Sequence, residues 1–144
     1  MHATPAPGGC ETRSANLKPI DTSPKERRMS KIIRTEPNKL LSKAVEYHGF
    51  VFLQGCTASD LSKDITGQTA EVLAAIDEIL ETHGTDKTRL LQAQIWLKDI
   101  RDRDAMNKLW SAWLPEGGAP ARACVQANMA DPRHLVEIMV TVCK

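Results

Sequence analysis

From Ala44 the chain alternates between short apolar runs and polar breaks. Ala44-Val45-Glu46-Tyr47 and Phe50-Val51-Phe52-Leu53 flank His48-Gly49, the pattern of a β-hairpin whose two-residue turn ends in a glycine tolerant of positive φ. Val72, Leu73, Ile76, Ile79 and Leu80 then recur at helical spacing, with Glu71, Asp77, Glu78 and Glu81 largely on the other side. Asp64 or Thr66 is placed to cap that helix, and His83-Gly84 to stop it. Leu91, Ala93, Ile95 and Leu97 alternate with Gln92, Gln94, Trp96 and Lys98, which predicts a strand with one apolar face. Met106, Leu109, Trp110 and Trp113 make a second helical stripe, with Asp102 as its predicted cap and Pro115 and Gly117-Gly118 as its end. Two further extended runs, 121–127 and 135–142, follow around Asp131-Pro132. The order hairpin, helix, strand, helix, strand, strand describes an α+β fold, a mixed sheet with two helices on one face. The other sheet face then carries apolar side chains in need of cover, which predicts an oligomer.

The 144 residues are sized for one domain. Residues 1–28 hold half of the eight prolines, Gly8-Gly9 and only isolated apolar residues such as Leu17 and Ile20; too little apolar area is available there to offset ordering entropy. The expectation is an unfolded extension over 1–28 and a folded domain over 29–144. A targeting arm is the alternative, hinted at by Arg13, Arg27 and Arg28, but Glu11, Asp21 and Glu26 do not fit an acid-poor transit peptide.

The formal charge is +1, from 19 basic and 18 acidic residues, and the first 28 residues hold five of the bases and three of the acids. The folded part therefore carries 14 bases against 15 acids, which gives no electrostatic case for binding nucleic acid or an anionic membrane. No apolar run is long enough for a membrane span or a signal-peptide core, so a cytoplasmic location is expected. Cys10, Cys56, Cys124 and Cys143 form no C-x-x-C pair, and the four histidines stand at no ligand-like spacing to them; reduced thiols and no structural metal are expected.

Candidate chemistry lies on the last two strands. Arg122 stands in the otherwise apolar run Pro120-Ala121-Arg122-Ala123-Cys124-Val125, and Glu137 interrupts Leu135-Val136 and Ile138-Met139-Val140. A strand arginine is costly to bury unless it meets an anion, and its guanidinium can hold a carboxylate with two parallel hydrogen bonds. Two opposite charges on neighbouring strands can also be a cross-strand ion pair.

Taken with Gly67-Gln68-Thr69 and Ile95-Trp96-Leu97-Lys98-Asp99, these runs resemble the RidA (YjgF) family, also called the L-PSP endoribonuclease family, over roughly residues 31–143. The resemblance implies a chorismate-mutase-like α+β fold assembled as a homotrimeric barrel with clefts between subunits. It also implies hydrolysis of reactive enamines and imines, such as 2-aminoacrylate and other 2-imino acids, to 2-keto acids and ammonia without metal or cofactor. Carried over by position, Arg122 binds the substrate carboxylate and Glu137 orients or activates the attacking water. Cys124 lines the pocket, with a small buried apolar residue as its alternative role; no base beside it marks it as a nucleophile. Asn107 hydrogen-bonds around the site, or else is an ordinary solvent-facing helix residue.

Two positions depart from the family pattern. Leu41 in Leu40-Leu41-Ser42 stands where many members carry a pocket tyrosine, and Gln54 in Gln54-Gly55 replaces a small hydroxyl residue. Both belong to the expected substrate pocket, so substrate preference is the property they put in question. Two rival functions follow from the same residues. One is a non-catalytic module that binds small carboxylates through Arg122. The other is the ribonuclease or translation-inhibitor activity of the family's older name, against which the charge balance argues.

Overall fold

A computed structural model describes residues 31–144; the extension expected over 1–28 lies outside the described residues. Among those described, seven strands and two helices follow in the order β1 (Ile33–Thr35), β2 (Ala44–Tyr47), β3 (Phe50–Leu53), β4 (Cys56–Thr57), α1 (Ile65–Thr82), β5 (Leu90–Leu97), α2 (Arg103–Trp113), β6 (Ala121–Gln126) and β7 (Val136–Cys143). The strands form one sheet in the order β1-β2-β3-β7-β5-β6, with β4 paired to β7. Only β5 and β6 run parallel, so the sheet is mixed, and both helices cover one of its faces as the periodicity predicts.

The local signals explain most of these elements. His48 and Gly49 both have positive φ, 50° and 79°, the conformation a tight two-residue hairpin turn demands. Asp64, rather than Thr66, caps α1, its carboxylate accepting a hydrogen bond from the Gly67 N–H at 2.8 Å. Gly84, at φ 67°, takes the chain out of α1. The residues Val72, Leu73, Ile76, Ile79 and Leu80 of α1 are buried against Val51, Leu53, Ile138 and Val140 of the sheet. Each such side chain contributes about 1.5–3 kcal/mol when fully buried.

Three expectations need correction. Asp102 occupies the position before α2 but makes no capping hydrogen bond with its side chain. The capping carboxylate is Asp99, which accepts from the Arg101 N–H at 2.9 Å and starts a short 3-10 turn, Ile100–Asp102, that feeds α2. Leu91 does not share the buried face of β5. A bulge between Leu90 and Gln92 puts two β5 residues against one step of β7, so Leu90 is buried and Leu91 is exposed. Finally, Arg122 and Glu137 are not on neighbouring strands, because β5 lies between β6 and β7.

Gln68 is a fully buried amide within the apolar stripe of α1. Its Nε2 donates to the carbonyls of Lys63 (3.2 Å) and Arg133 (3.0 Å), and its Oε1 accepts from the Leu135 N–H at 2.9 Å. These bonds fix the segment entering β7, the strand that carries Glu137, against the first turn of α1.

Candidate functional site

The two charged site residues expected from the sequence, Arg122 and Glu137, lie on opposite faces of the sheet. Arg122 is paired in register with Ala93, a core residue of the helix-covered face, so its side chain lies on that face at the free edge of β6. There its Nη1 donates to Asn107 Oδ1 at 2.9 Å, and its guanidinium carbon stands 5.6 Å from the centre of the Trp110 ring. Asn107 and Trp110 are three residues apart on α2 and therefore present one face to the arginine. None of the ion pairs among the described residues uses Arg122, which is exposed. The result is a cation oriented by an amide and an aromatic face, with no carboxylate among the described residues satisfying it.

Cys124 follows on the same face, half-buried against the core. Burial pushes its thiol above the ordinary value, against the opposing pull of the Arg122 and Arg103 charges. It stays a thiol at neutral pH and is not poised as a nucleophile.

Glu137 pairs in register with Trp96 and Thr57, which puts it on the open face. Its carboxylate lies over Gly55, close enough that a Cβ on that glycine would fall 1.8 Å from Oε1. Only a residue without a side chain permits this placement. Gln54 precedes Gly55 and lines a cavity of about 290 Å3 together with Lys43, Glu78 and Thr82. Leu41 is half-exposed in the loop before β2, its N–H held by Asn38 Oδ1 at 3.0 Å. One chain thus brings together Arg122, Asn107 and Cys124, and separately sets Glu137 over Gly55, while Gln54 lines the cavity beside α1 and Leu41 stands apart in its loop. It does not bring Arg122 to Glu137, so the cross-strand ion pair is not formed.

Two neighbours of these residues, Trp110 and Gly55, carry no sequence signal of their own that assigns them to the site. In the sequence Trp110 reads only as part of the apolar stripe of α2, and its spacing of three from Asn107 is the signal that could have found it. Gly55 is marked by its position after Gln54 but not by any pattern. No cluster of three or more His, Cys, Asp or Glu side chains able to hold a metal ion occurs among the described residues.

The family model described as Endoribonuclease L-PSP matches residues 32–144. The chain belongs to this family. Among curated relatives, a RutC family protein of Haemophilus ducreyi is 36% identical over 110 residues, 76% of this chain and 94% of the relative. The RutC family protein YoaB of Escherichia coli is 38% identical over 109 residues, with 76% and 95% of the two chains covered. Among solved structures, NMB1025 of Neisseria meningitidis, a member of the YjgF protein family, aligns with a TM-score of 0.76 at 39% identity, covering 81% of this chain and 97% of that one. A Pseudomonas aeruginosa protein aligns with a TM-score of 0.77 at 36% identity, covering 79% and 99%. The family's α+β fold, a mixed sheet with two helices, is the fold of this chain.

Proposed function

We propose that the protein hydrolyses 2-imino acids and their enamine tautomers to 2-oxo acids and ammonia, in a cleft formed where the β6 edge of one copy meets the open sheet face of another. The observation that carries this reading is Arg122: an exposed strand cation, oriented by Asn107 and Trp110 and paired with no acidic side chain among the described residues. Such a group fits a small carboxylate ligand, which a guanidinium can hold with two parallel hydrogen bonds.

The chemistry balances with water alone. Arg122 holds the substrate carboxylate, and the water oxygen attacks the imine carbon while the C=N electron pair moves to nitrogen. Glu137 of a neighbouring copy accepts the water proton and returns it to the nitrogen of the tetrahedral carbinolamine. The carboxylate then takes the carbinolamine hydroxyl proton and passes it to the amino nitrogen as the C–N bond breaks, so ammonia leaves carrying both water protons and the C=O forms, with no change of oxidation level. Opposite sheet faces within one chain make a second copy necessary for this pairing of Arg122 with Glu137. The exposed side chains Tyr47, Phe50, Phe52 and Val125 supply an apolar surface for that association, and a homotrimer is the assembly that the family resemblance implies.

Arg122→Ala is the direct test, with imines generated in situ by an amino-acid oxidase and ammonia release as the readout. Losing a bidentate, charge-assisted pair is expected to lower kcat/KM about 100-fold or more, with the mass by light scattering unchanged. Full activity in that variant overturns the reading. Wild-type protein that binds 2-oxo acids but releases no ammonia would instead be a carboxylate-binding module. A ribonuclease reading finds no support in the charge of the folded part, 14 bases against 15 acids.

A further inference from the structure

Beside Arg122 the structure opens a cavity of about 440 Å3 between α2 and the segment entering β6. Its walls are Trp110, Leu114, Ala119 and Pro120, and Asn107 and Ser111 stand among its polar residues. The space is an open groove rather than an enclosed pocket, wide enough to seat a small ligand against its apolar wall. A three-carbon acid anchored on the guanidinium leaves most of it empty. Trp110 is itself buried and stacks on the arginine, so the apolar wall and the carboxylate anchor form one continuous surface.

We propose that this cavity is a side-chain subsite, and that the chain selects 2-imino and 2-oxo acids bearing large apolar side chains over 2-aminoacrylate or pyruvate. The proposal rests on the reading of Arg122 as a carboxylate anchor and adds to it the substrate class. A carboxylate placed on Arg122 sets the α-carbon beside the Trp110 ring, and the substituent on that carbon enters the space in front of Leu114 and Pro120. Burying it there removes apolar area from water on both partners. The charged end stays at the exposed rim, where the guanidinium is solvated until the carboxylate replaces that water.

The test measures binding separately from turnover. Full-length protein is titrated calorimetrically with pyruvate, 4-methyl-2-oxopentanoate and phenylpyruvate, stable product acids that share the carboxylate and differ in side chain. Affinity is expected to rise at least tenfold from pyruvate to either larger acid, the scale of discrimination that extra apolar groups bring in a fitted pocket. Ser111→Phe, on the exposed side of α2, places a ring in the cavity without removing a core residue. It is expected to reduce the ratio of large-acid to pyruvate affinity about tenfold. Leu114→Ala, which trims the wall, is expected to shift that ratio towards phenylpyruvate. Equal affinity for the three acids overturns the subsite, as does a ratio unmoved by Ser111→Phe. Absence of ammonia release from any imine, with the affinity order intact, overturns the hydrolytic function and leaves the subsite standing.

Discussion

The two faces of the sheet are built from different chemistry. The helix-covered face presents Val51, Leu53, Ala93, Ile95, Leu97, Ile138 and Val140, all buried and all aliphatic. The open face presents Phe50, Phe52, Gln92, Gln94, Trp96, Met139 and Glu137, a mixture of rings, amides, a thioether and a carboxylate. Alternation along each strand means that the same residues of backbone serve both. The covered face makes the single chain fold, whereas the open face keeps polar and aromatic groups available for a neighbour and for chemistry. Arg122 belongs to neither centre. It stands on the covered side but at the β6 edge, beyond the protection of the core.

Breaking the covered face is expected to have the largest effect. Ile138 is fully buried, and Ile138→Ala removes its transfer free energy and leaves a cavity, a loss of about 2–5 kcal/mol to be read from urea unfolding at fixed protein concentration. Its counterpart on the open face is Phe52→Asp, at a position 44% exposed in the single chain. That variant should keep its far-UV circular dichroism while its mass by light scattering falls towards the 15.9 kDa of one chain. A collapse of secondary structure in Phe52→Asp, or an unchanged stability in Ile138→Ala, would break the division of labour between the faces.

How much of this division the sequence discloses depends on the range of the interactions concerned. The hairpin, α1 with its cap narrowed to Asp64 or Thr66, α2 and the last two strands are legible because each rests on periodicity and turn chemistry within a few residues. The strands Ile33–Thr35 and Cys56–Thr57 are too short to show a period, and pairing alone makes them strands. The insertion of β5 between β6 and β7 is likewise tertiary, so the neighbouring placement of Arg122 and Glu137 could not survive it. The bulge that turns Leu91 outward has no local signature. Gln68 left a trace, an amide four residues before Val72 on the stripe that continues to Ile76, but its three partners come from two separate segments. The roles expected of Arg122, Asn107 and Glu137 rest on the family resemblance rather than on spacing, and the geometry sets Trp110 beside Arg122 and Gly55 beneath Glu137.

Gly55 offers a sharper probe of the open face. An added Cβ would meet Glu137 Oε1 at 1.8 Å and the carboxyl carbon at 2.8 Å, and since the obstacle is the end of a side chain the carboxylate can swing away. Gly55→Ala is therefore expected to leave the unfolding midpoint nearly unchanged. Its kcat on 2-imino acids should fall about 100-fold, the scale associated with a 1 Å misplacement of a reacting group. A large stability loss with kcat retained would mean that the glycine serves packing rather than the placement of Glu137.

Cys56 tests the covered face without altering its shape greatly, and its effect appears only in alkali. Burial, and after it the negative charge of Glu137, raise its thiol from the ordinary 9.0 to about 11, against the weaker opposing pull of Lys43. Below pH 9 the thiol is protonated in both folded and unfolded chains, and its contribution to stability is fully present. Between pH 9 and 11 the unfolded chain releases the proton while the folded one retains it, so ionisation favours unfolding and the contribution is lost as pH rises through the folded value. At 1.36 kcal/mol for each unit of displacement, the loss approaches about 2–3 kcal/mol near pH 11. Cys56→Ala lacks the group, so its deficit relative to wild type in urea unfolding should shrink steadily from pH 8 to pH 11. A deficit that stays constant across that interval would show that the thiol titrates alike in both states, and that the covered face beneath Glu137 is reached by water.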